Sequence, residues 1–314
     1  MRPLVTSRKS LPKVFEPSPG EHHRLSEAVA MHDDRRTFKP AGEAVSAEQV
    51  ISPLEPGESS TRILGRNTPR ASAEEAAALL VAHLFAEGDR NIGGVSYAVA
   101  YRLADVNAGG DIVDVYHFDN DAVALTIADI SGKGTKAAVH AALIKYGLRA
   151  YSSHGLTPEK AMRAMDRLYL ENATFEDVES FASVFLGVVE PRRRSMTFAS
   201  AGHEPIVLVH PHVEPQVLQP TCPIIGVFDD QHHLFKQEIV DLWPGSLLVM
   251  ATDGVTEARN ASKELFGMER LIACVREHRD AKPAAIVDAI IAATERFVPD
   301  GLQDDVAVLA ARFS

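Results

Sequence analysis

Residues 123–143 read VALTIADISGKGTKAAVHAAL. A β-branched apolar run stops at Asp129, a turn containing Gly132 and Gly134 follows, and an Ala-rich helix-forming stretch takes over. A carboxylate at the end of a buried strand, followed by a Gly-rich turn, has two chemical explanations. The turn can cradle phosphate with backbone N–H groups, or the carboxylate can be a metal ligand on a rigid strand end. The first is testable from spacing. A Walker loop requires G-x-x-x-x-G-K-[ST], but Ile127 stands where its first Gly belongs and Gly134 follows Lys133.

Working outward, ASAEEAAALLVAHLFAEG (71–88) begins with Ser72 as an N-cap and Glu75 three residues on, and predicts a helix over 73–87 ended by Gly88. Strand patterns follow at 94–105, 111–118 and 122–129, then helical patterns at about 134–152 and 157–171. Short strands are expected in FASVFLGVVE, SMTFASA, PIVLVH and LLVMATD, then helices near 264–277 and 282–297, and a last strand in DVAVLAARF. Strand clusters interrupted by paired helices, without regular βαβ alternation, indicate an α+β fold with antiparallel sheets.

The first 70 residues differ. They hold 8 of the 18 prolines but two of the 20 aromatics, and no sustained period of 2 or 3.6, which reads as a flexible Pro-rich extension. The net charge of −11 argues against a nucleic-acid binder, and the excess acid lies wholly after residue 70, where the net is −13. There is no run of 18 apolar residues and no signal-peptide core near the N-terminus, so the expectation is a cytoplasmic protein without a membrane segment. Cys222 and Cys274 lack metal-ligand spacing.

Four stretches place carboxylates at strand ends or tight turns: AGGDIVD (Asp111, Asp114), ADISGKG (Asp129), ATDGVTEARN (Asp253, Glu257) and GLQDDVAVL (Asp304, Asp305). A single such Asp is usually a turn residue capping its own backbone. Four of them, each abutting a core strand where an unpaired carboxylate is costly, point to convergence on a hard cation. Oxygen-only ligands suit magnesium, manganese or calcium; the absence of CxxC and of a His pair at i, i+4 argues against zinc. GGDIVD departs from the GGDEF signature of nucleotide cyclases at Ile112 and Val113.

Together GGDIVD, ADISGKG, SAGHEP, ATDGVTEARN, FGMERL and QDDVAVL, in that order over roughly residues 75–314, resemble the SpoIIE-type branch of the metal-dependent (PPM, phosphatase 2C-like) serine/threonine protein phosphatases. The resemblance implies an α/β sandwich of two central antiparallel sheets flanked by helices, filling residues 71–314 behind the 1–70 extension. It implies a serine/threonine phosphatase with two manganese or magnesium ions. Asp129 would bridge both metals, the carbonyl of Ile130 would bind one, and Asp253 and Asp304 would be terminal ligands of the other. Asp129 and Asp253 are the residues on which catalysis would depend most. Asp111 matches the first acidic position, with Asp114 as the alternative. The implied substrate is the phosphoserine or phosphothreonine of a small regulatory protein, a STAS-type anti-sigma-factor antagonist in partner switching. An upstream activator protein and a homodimer through the 73–87 helix complete the expectation. The rivals are a non-catalytic phosphoprotein-binding member and a hydrolase of a small phosphorylated metabolite.

Two positions depart from the eukaryotic phosphatase 2C pattern. The only upstream Arg available for phosphate is Arg102, and Ser131 stands where a His follows the metal-bound pair. Lys133 offers charge to phosphate or is a solvated turn residue; His203 of SAGHEP acts in chemistry or shapes the site. Asp305 and Glu257 read as turn-stabilising or supporting residues, and TCPIIGVF as structural.

Overall fold

The computed structural model describes residues 88–103, 110–118, 121–132, 134–172, 180–227 and 232–314. The expected 73–87 helix and the 1–70 extension lie outside the described residues.

The strands are β1 (Gly88–Ile92), β2 (Val95–Arg102), β3 (Ile112–His117), β4 (Val123–Ile130), β5 (Ala182–Glu190), β6 (Ser195–Ala201), β7 (Ile206–Val209), β8 (Gln216–Leu218), β9 (Glu238–Asp241), β10 (Leu247–Ala251) and β11 (Val306–Phe313). The helices are α1 (Gly134–Ser153), α2 (Pro158–Asn172), the single turn α3 (Asp253–Thr256), α4 (Gly267–Glu277) and α5 (Pro283–Phe297). The strands form a six-stranded sheet, β1-β2-β11-β10-β7-β8, and a five-stranded sheet, β3-β4-β5-β6-β9, with every pairing antiparallel. This is the expected two-sheet α+β sandwich.

Side chains alternate across a strand, so each strand here sends one row to the opposite sheet and one to the helices. Val123, Leu125 and Ile127 of β4 meet Val113 and Val115 of β3, the Phe185–Phe198 stack (ring centroids 5.6 Å apart), and Leu248, Met250, Ala307 and Leu309 of the other sheet. The opposite row of the five-stranded sheet packs on Ala137, Ala141, Ile144 and Leu148 of α1 and Met162 and Met165 of α2. On the far side, Val249, Val308 and Ala310 meet Leu271 and Val275 of α4 and Ile286 and Ile290 of α5. The result is four layers, α/β/β/α. No described helix is long and apolar enough to cross a membrane.

The hairpin β1–β2 was not legible. GDRNI has no strand composition, but its register closes over Gly93 and Gly94 at φ 57° and 83°, a two-residue turn with both central residues at positive φ.

A buried ion cluster fastens α1 to β3. Asp114 lies in the same row as Ile112 and Tyr116, facing the helix layer rather than the other sheet. It accepts hydrogen bonds from Arg149 Nε and Nη2 (3.0 and 2.6 Å), Lys145 Nζ lies 3.7 Å away, and the Arg149 guanidinium covers the Tyr116 ring. Lys145 is 5% exposed, and burial lowers its pKa against the pull of Asp114. Removing one member of such a cluster strands a buried charge. Asp114→Ala should therefore cost about 3 kcal/mol in urea unfolding. Manganese affinity measured by calorimetry on the folded variant should stay at the wild-type value, since Asp114 faces away from the acidic rim described next.

Candidate metal centre

The rows that fill the space between the sheets do not stop at the core. Asp129 is the next member of Val123–Leu125–Ile127, two residues beyond it. Asp111 precedes Val113 and Val115 in the same way, Thr252 follows Leu248 and Met250, and Asp305 precedes Ala307 and Leu309. These four residues, with their neighbours Asp253 and Asp304, come together at one end of the sandwich. The alternation also separates Asp111 from Asp114: the first belongs to the acidic rim and the second to the helix layer.

Charge confirms the convergence. Burial pushes Asp111 well above the usual carboxylate range, and Asp129, Asp305 and Asp253 push it further, against a hydrogen bond from Thr252 that lowers it. Burial first, then Asp304 and Asp305, raises Asp129 to about 6. Burial, Asp129, Asp304, Glu257 and Glu204 raise Asp253 to about 7. Every charge that shifts these three groups is another acid.

Close backbone contacts fix the rim. A β-carbon on Gly110 would lie 2.1 Å from the Ile130 carbonyl oxygen, and one on Gly254 would lie 1.9 Å from the Asp305 carbonyl oxygen. Glycine at both positions lets the Asp111 segment rest on the end of β4 and the Asp253 turn rest on the 304–305 loop. Two hydroxyls from the six-stranded sheet also hold the start of β3. Buried Thr252 Oγ1 donates to Asp111 Oδ2 at 2.7 Å while accepting from Ala307 N–H at 3.0 Å. Tyr101 Oη accepts from Val113 N–H at 2.8 Å and donates to Val113 O at 3.4 Å. Asp304 Oδ1 accepts the Asp305 N–H at 2.9 Å, as a turn carboxylate does.

The other expected residues fall as follows. Ser131 is held by Phe181: its hydroxyl accepts Phe181 N–H at 2.8 Å and its N–H donates to Phe181 O at 2.9 Å. Arg102 belongs to the outward row of β2 and pairs with Glu295 of α5 at 3.1 Å, so it does not face the rim. Lys133 lies outside the described residues. His203 is 1% exposed, burial lowers it to about 3, and its Nδ1 lies 2.9 Å from Ser183 Oγ, so it is a neutral buried ring. Ser183 stands opposite Asp129 in the β4–β5 ladder, which makes His203 a support behind that carboxylate. Sequence reasoning missed Glu204, which accepts a hydrogen bond from Thr256 Oγ1 at 3.2 Å and raises Asp253. Only its place in SAGHEP pointed there.

The donor set fits hard divalent cations: carboxylates and a backbone carbonyl, without thiol or imidazole. Among the described residues no three acidic, His or Cys side chains meet tightly enough to hold one ion as they stand. The fit therefore rests on the chemistry of the acids and their mutual repulsion, which a cation relieves.

Raised carboxyl pKa values mean that the folded state binds more protons than the unfolded state. In chelator, the stability that these groups contribute should therefore be full below about pH 4 and be lost as pH rises through about 6 and about 7, the values of Asp129 and Asp253. Asp253→Asn should stabilise the chelated protein at pH 8 by on the order of 1 kcal/mol, after allowance for solvent screening of this part-exposed group. With excess manganese, thermal unfolding should reverse the order, because only the wild type is stabilised by binding. Thr252→Val should weaken manganese binding in calorimetry by about tenfold, and Thr252→Ser should restore it, as expected of a hydrogen bond worth roughly 1–2 kcal/mol.

The SpoIIE family model, stage II sporulation protein E, matches residues 119–314. The chain is 28% identical over 204 residues to the phosphoserine phosphatase RsbU of Bacillus subtilis, covering 63% of this chain and 58% of that protein. It is 26% identical over 229 residues to Protein IcfG of Synechocystis, covering 65% and 36%. The matched region thus spans between about a third and three fifths of these relatives. Among solved structures, the SiaA PP2C domain of Pseudomonas aeruginosa superposes with a TM-score of 0.61 at 21% identity, over 69% of this chain and 86% of that one. The RsbU and RsbW domains of Rv1364c from Mycobacterium tuberculosis give 0.61 at 23% identity, over 71% and 60%. The catalytic domain of the serine/threonine phosphatase PstP, solved with two manganese ions, gives 0.53 at 13%, over 69% and 97%. At these identities the structures speak for the fold, and the fold is that of PP2C domains. With more than half of its length matched by the family model, the chain belongs to the SpoIIE family.

Proposed function

We propose that the protein is a metal-dependent serine/threonine protein phosphatase that hydrolyses a phosphoserine or phosphothreonine on a small regulatory protein, with Asp111, Asp129, the Ile130 carbonyl, Asp253 and Asp304 as ligands of two manganese or magnesium ions. The observation that carries this reading is the gathering of acids from both sheets at one end of the sandwich, where every charge shifting Asp111, Asp129 and Asp253 is another carboxylate. Divalent cations bound there supply a water of lowered pKa and neutralise charge on a phosphoryl group.

The residues of the chain have separate tasks in this reading. Asp129, at the end of the row of β4 that faces the other sheet, would hold a cation between the sheets. Thr252 keeps one oxygen of Asp111 in place through its 2.7 Å hydrogen bond. Gly254 lets Asp253 approach the 304–305 loop. The reaction needs no covalent phospho-enzyme, and neither thiol suits that role. Burial raises both cysteines, and Cys222 Sγ donates to Lys236 O at 3.1 Å.

Likeness to RsbU and RsbP, both named phosphoserine phosphatases, supports phosphoserine as the group acted on, and in this reading the substrate is a STAS-type anti-sigma-factor antagonist in a cytoplasmic partner-switching pathway. In this reading residues 71–314 form the catalytic unit, 1–70 extend it, and the 73–87 segment carries an activator's signal or a dimer contact to it.

The test is phosphate release from a phosphoserine STAS protein with manganese, with chelator, and with Asp253→Ala, beside a panel of small phosphate esters. Turnover should require manganese, vanish in the variant by at least about a thousandfold, and favour the phosphoprotein. Preference for a small ester would move the assignment to a metabolite phosphatase. Absence of both turnover and manganese binding would leave a phosphoprotein-binding member.

A further inference from the structure

A phosphate monoester carries close to two negative charges near neutral pH, and the mouth that must admit it is acidic. Asp253, Glu257 and Asp304 line a cavity of about 120 Å³, together with Gly254, Ala258, Gln303 and Arg259. That volume is many times the roughly 10–15 Å³ that one water needs. Arg259 is the one cation among the described residues lining it.

Two features set this arginine apart from a solvated surface residue. Its backbone is fixed from several sides. Gln303 Nε2 donates to the Arg259 carbonyl at 3.3 Å, joining both walls of the cavity, and Arg259 pairs with Leu265 in an isolated bridge. Asn260 Oδ1 closes the adjoining turn by accepting from Ser262 and Glu264 N–H, at 3.0 and 2.9 Å, and Phe266 N–H donates to Ala258 O at 2.8 Å. Its head group, by contrast, forms no side-chain hydrogen bond and no ion pair with any described residue. It lines one cavity with three carboxylates. Of the two cations that the sequence offered for phosphate, Arg102 is engaged by Glu295 on the outer face and Lys133 lies outside the described residues.

We propose that Arg259 binds the phosphoryl group of the substrate, its planar fork donating to oxygens turned away from the acidic rim. Guanidinium is suited to this because it presents parallel N–H donors to two phosphoryl oxygens and stays charged throughout the working pH range. A cation placed at the mouth also offsets the repulsion that the surrounding acids exert on an incoming dianion. The inference rests on the phosphatase reading above and assigns the substrate-binding cation within it.

The experiment uses the full chain with manganese, p-nitrophenyl phosphate as substrate and inorganic phosphate as competitive inhibitor, in wild type, Arg259→Ala, Arg259→Lys and Asp253→Ala. Manganese affinity is measured by calorimetry alongside. Arg259→Ala should raise KM and the phosphate inhibition constant together by roughly 10- to 100-fold, the range expected for a lost charge-assisted hydrogen bond. Its manganese affinity and melting temperature should stay at wild-type values, and Arg259→Lys should recover part of the loss. A phosphate inhibition constant within about twofold of wild type in Arg259→Ala would overturn the assignment. So would a parallel fall in manganese affinity, which would make Arg259 part of the scaffold. A wild type without manganese-dependent turnover, matched by Asp253→Ala, would remove the phosphatase reading itself, and this inference with it.

Discussion

A row of side chains that fills the space between two sheets must emerge at the rim still pointing between them, because alternation along a strand does not change where the core ends. The acidic site depends on this. The inward rows of β3, β4 and β11 run from Val113, Ile127 and Ala307 to Asp111, Asp129 and Asp305, and that of β10 ends in Thr252 with Asp253 next in the chain. The same buried rows that hold the sheets together thus aim the carboxylates, and a one-residue slip in β3 would exchange Asp111 for a residue of the helix-facing row.

Bringing like charges to such a rim is unfavourable, and the structure shows how the cost is contained. The carboxyl groups retain protons at unusually high pH, which limits the repulsion while no cation is bound. The positions themselves are set by contacts that do not titrate in this range: the Thr252 and Tyr101 hydroxyls, and two glycines whose β-carbons would strike carbonyl oxygens of the facing loop. The backbone positions of the rim are thus fixed by packing and hydrogen bonds, while the carboxylates of the described residues do not meet tightly enough to hold one ion as they stand. The one neutralised acid of the motif GGDIVD, Asp114, belongs to a different task, clamping α1 onto β3.

The two sheets contribute differently to the proposed chemistry. Asp111, Asp129 and the Ile130 carbonyl come from the five-stranded sheet, backed by Ser183 and His203. Asp253, Asp304 and Arg259 come from segments attached to the six-stranded sheet, which also shape the cavity. A relative shift of the sheets would part the two groups of acids, and Thr252 is one direct hydrogen-bonded link between the sheets at this rim.

The sequence by itself determined the architecture and most of the acids. The periodic segments were long enough for hydrophobic pattern to fix them: 195–201 as a strand, and helices within a few residues of Gly134–Ser153, Pro158–Asn172 and Pro283–Phe297. Asp129, Asp253 and Asp304 stood out because each interrupts an apolar pattern beside a turn. What only the tertiary structure decided was direction and company. The strands β1, β8 and β9 owe their existence to pairing, since three to five residues carry too little pattern of their own. Which of Asp111 and Asp114 lies at the acidic rim turned on which face of β3 meets α1. The outward direction of Arg102 and the place of Glu204 near Asp253 were decided in the same way. A sequence records which residues can be charged, but whether a charge faces a helix, a partner or an open rim depends on strand register and on what packs across it.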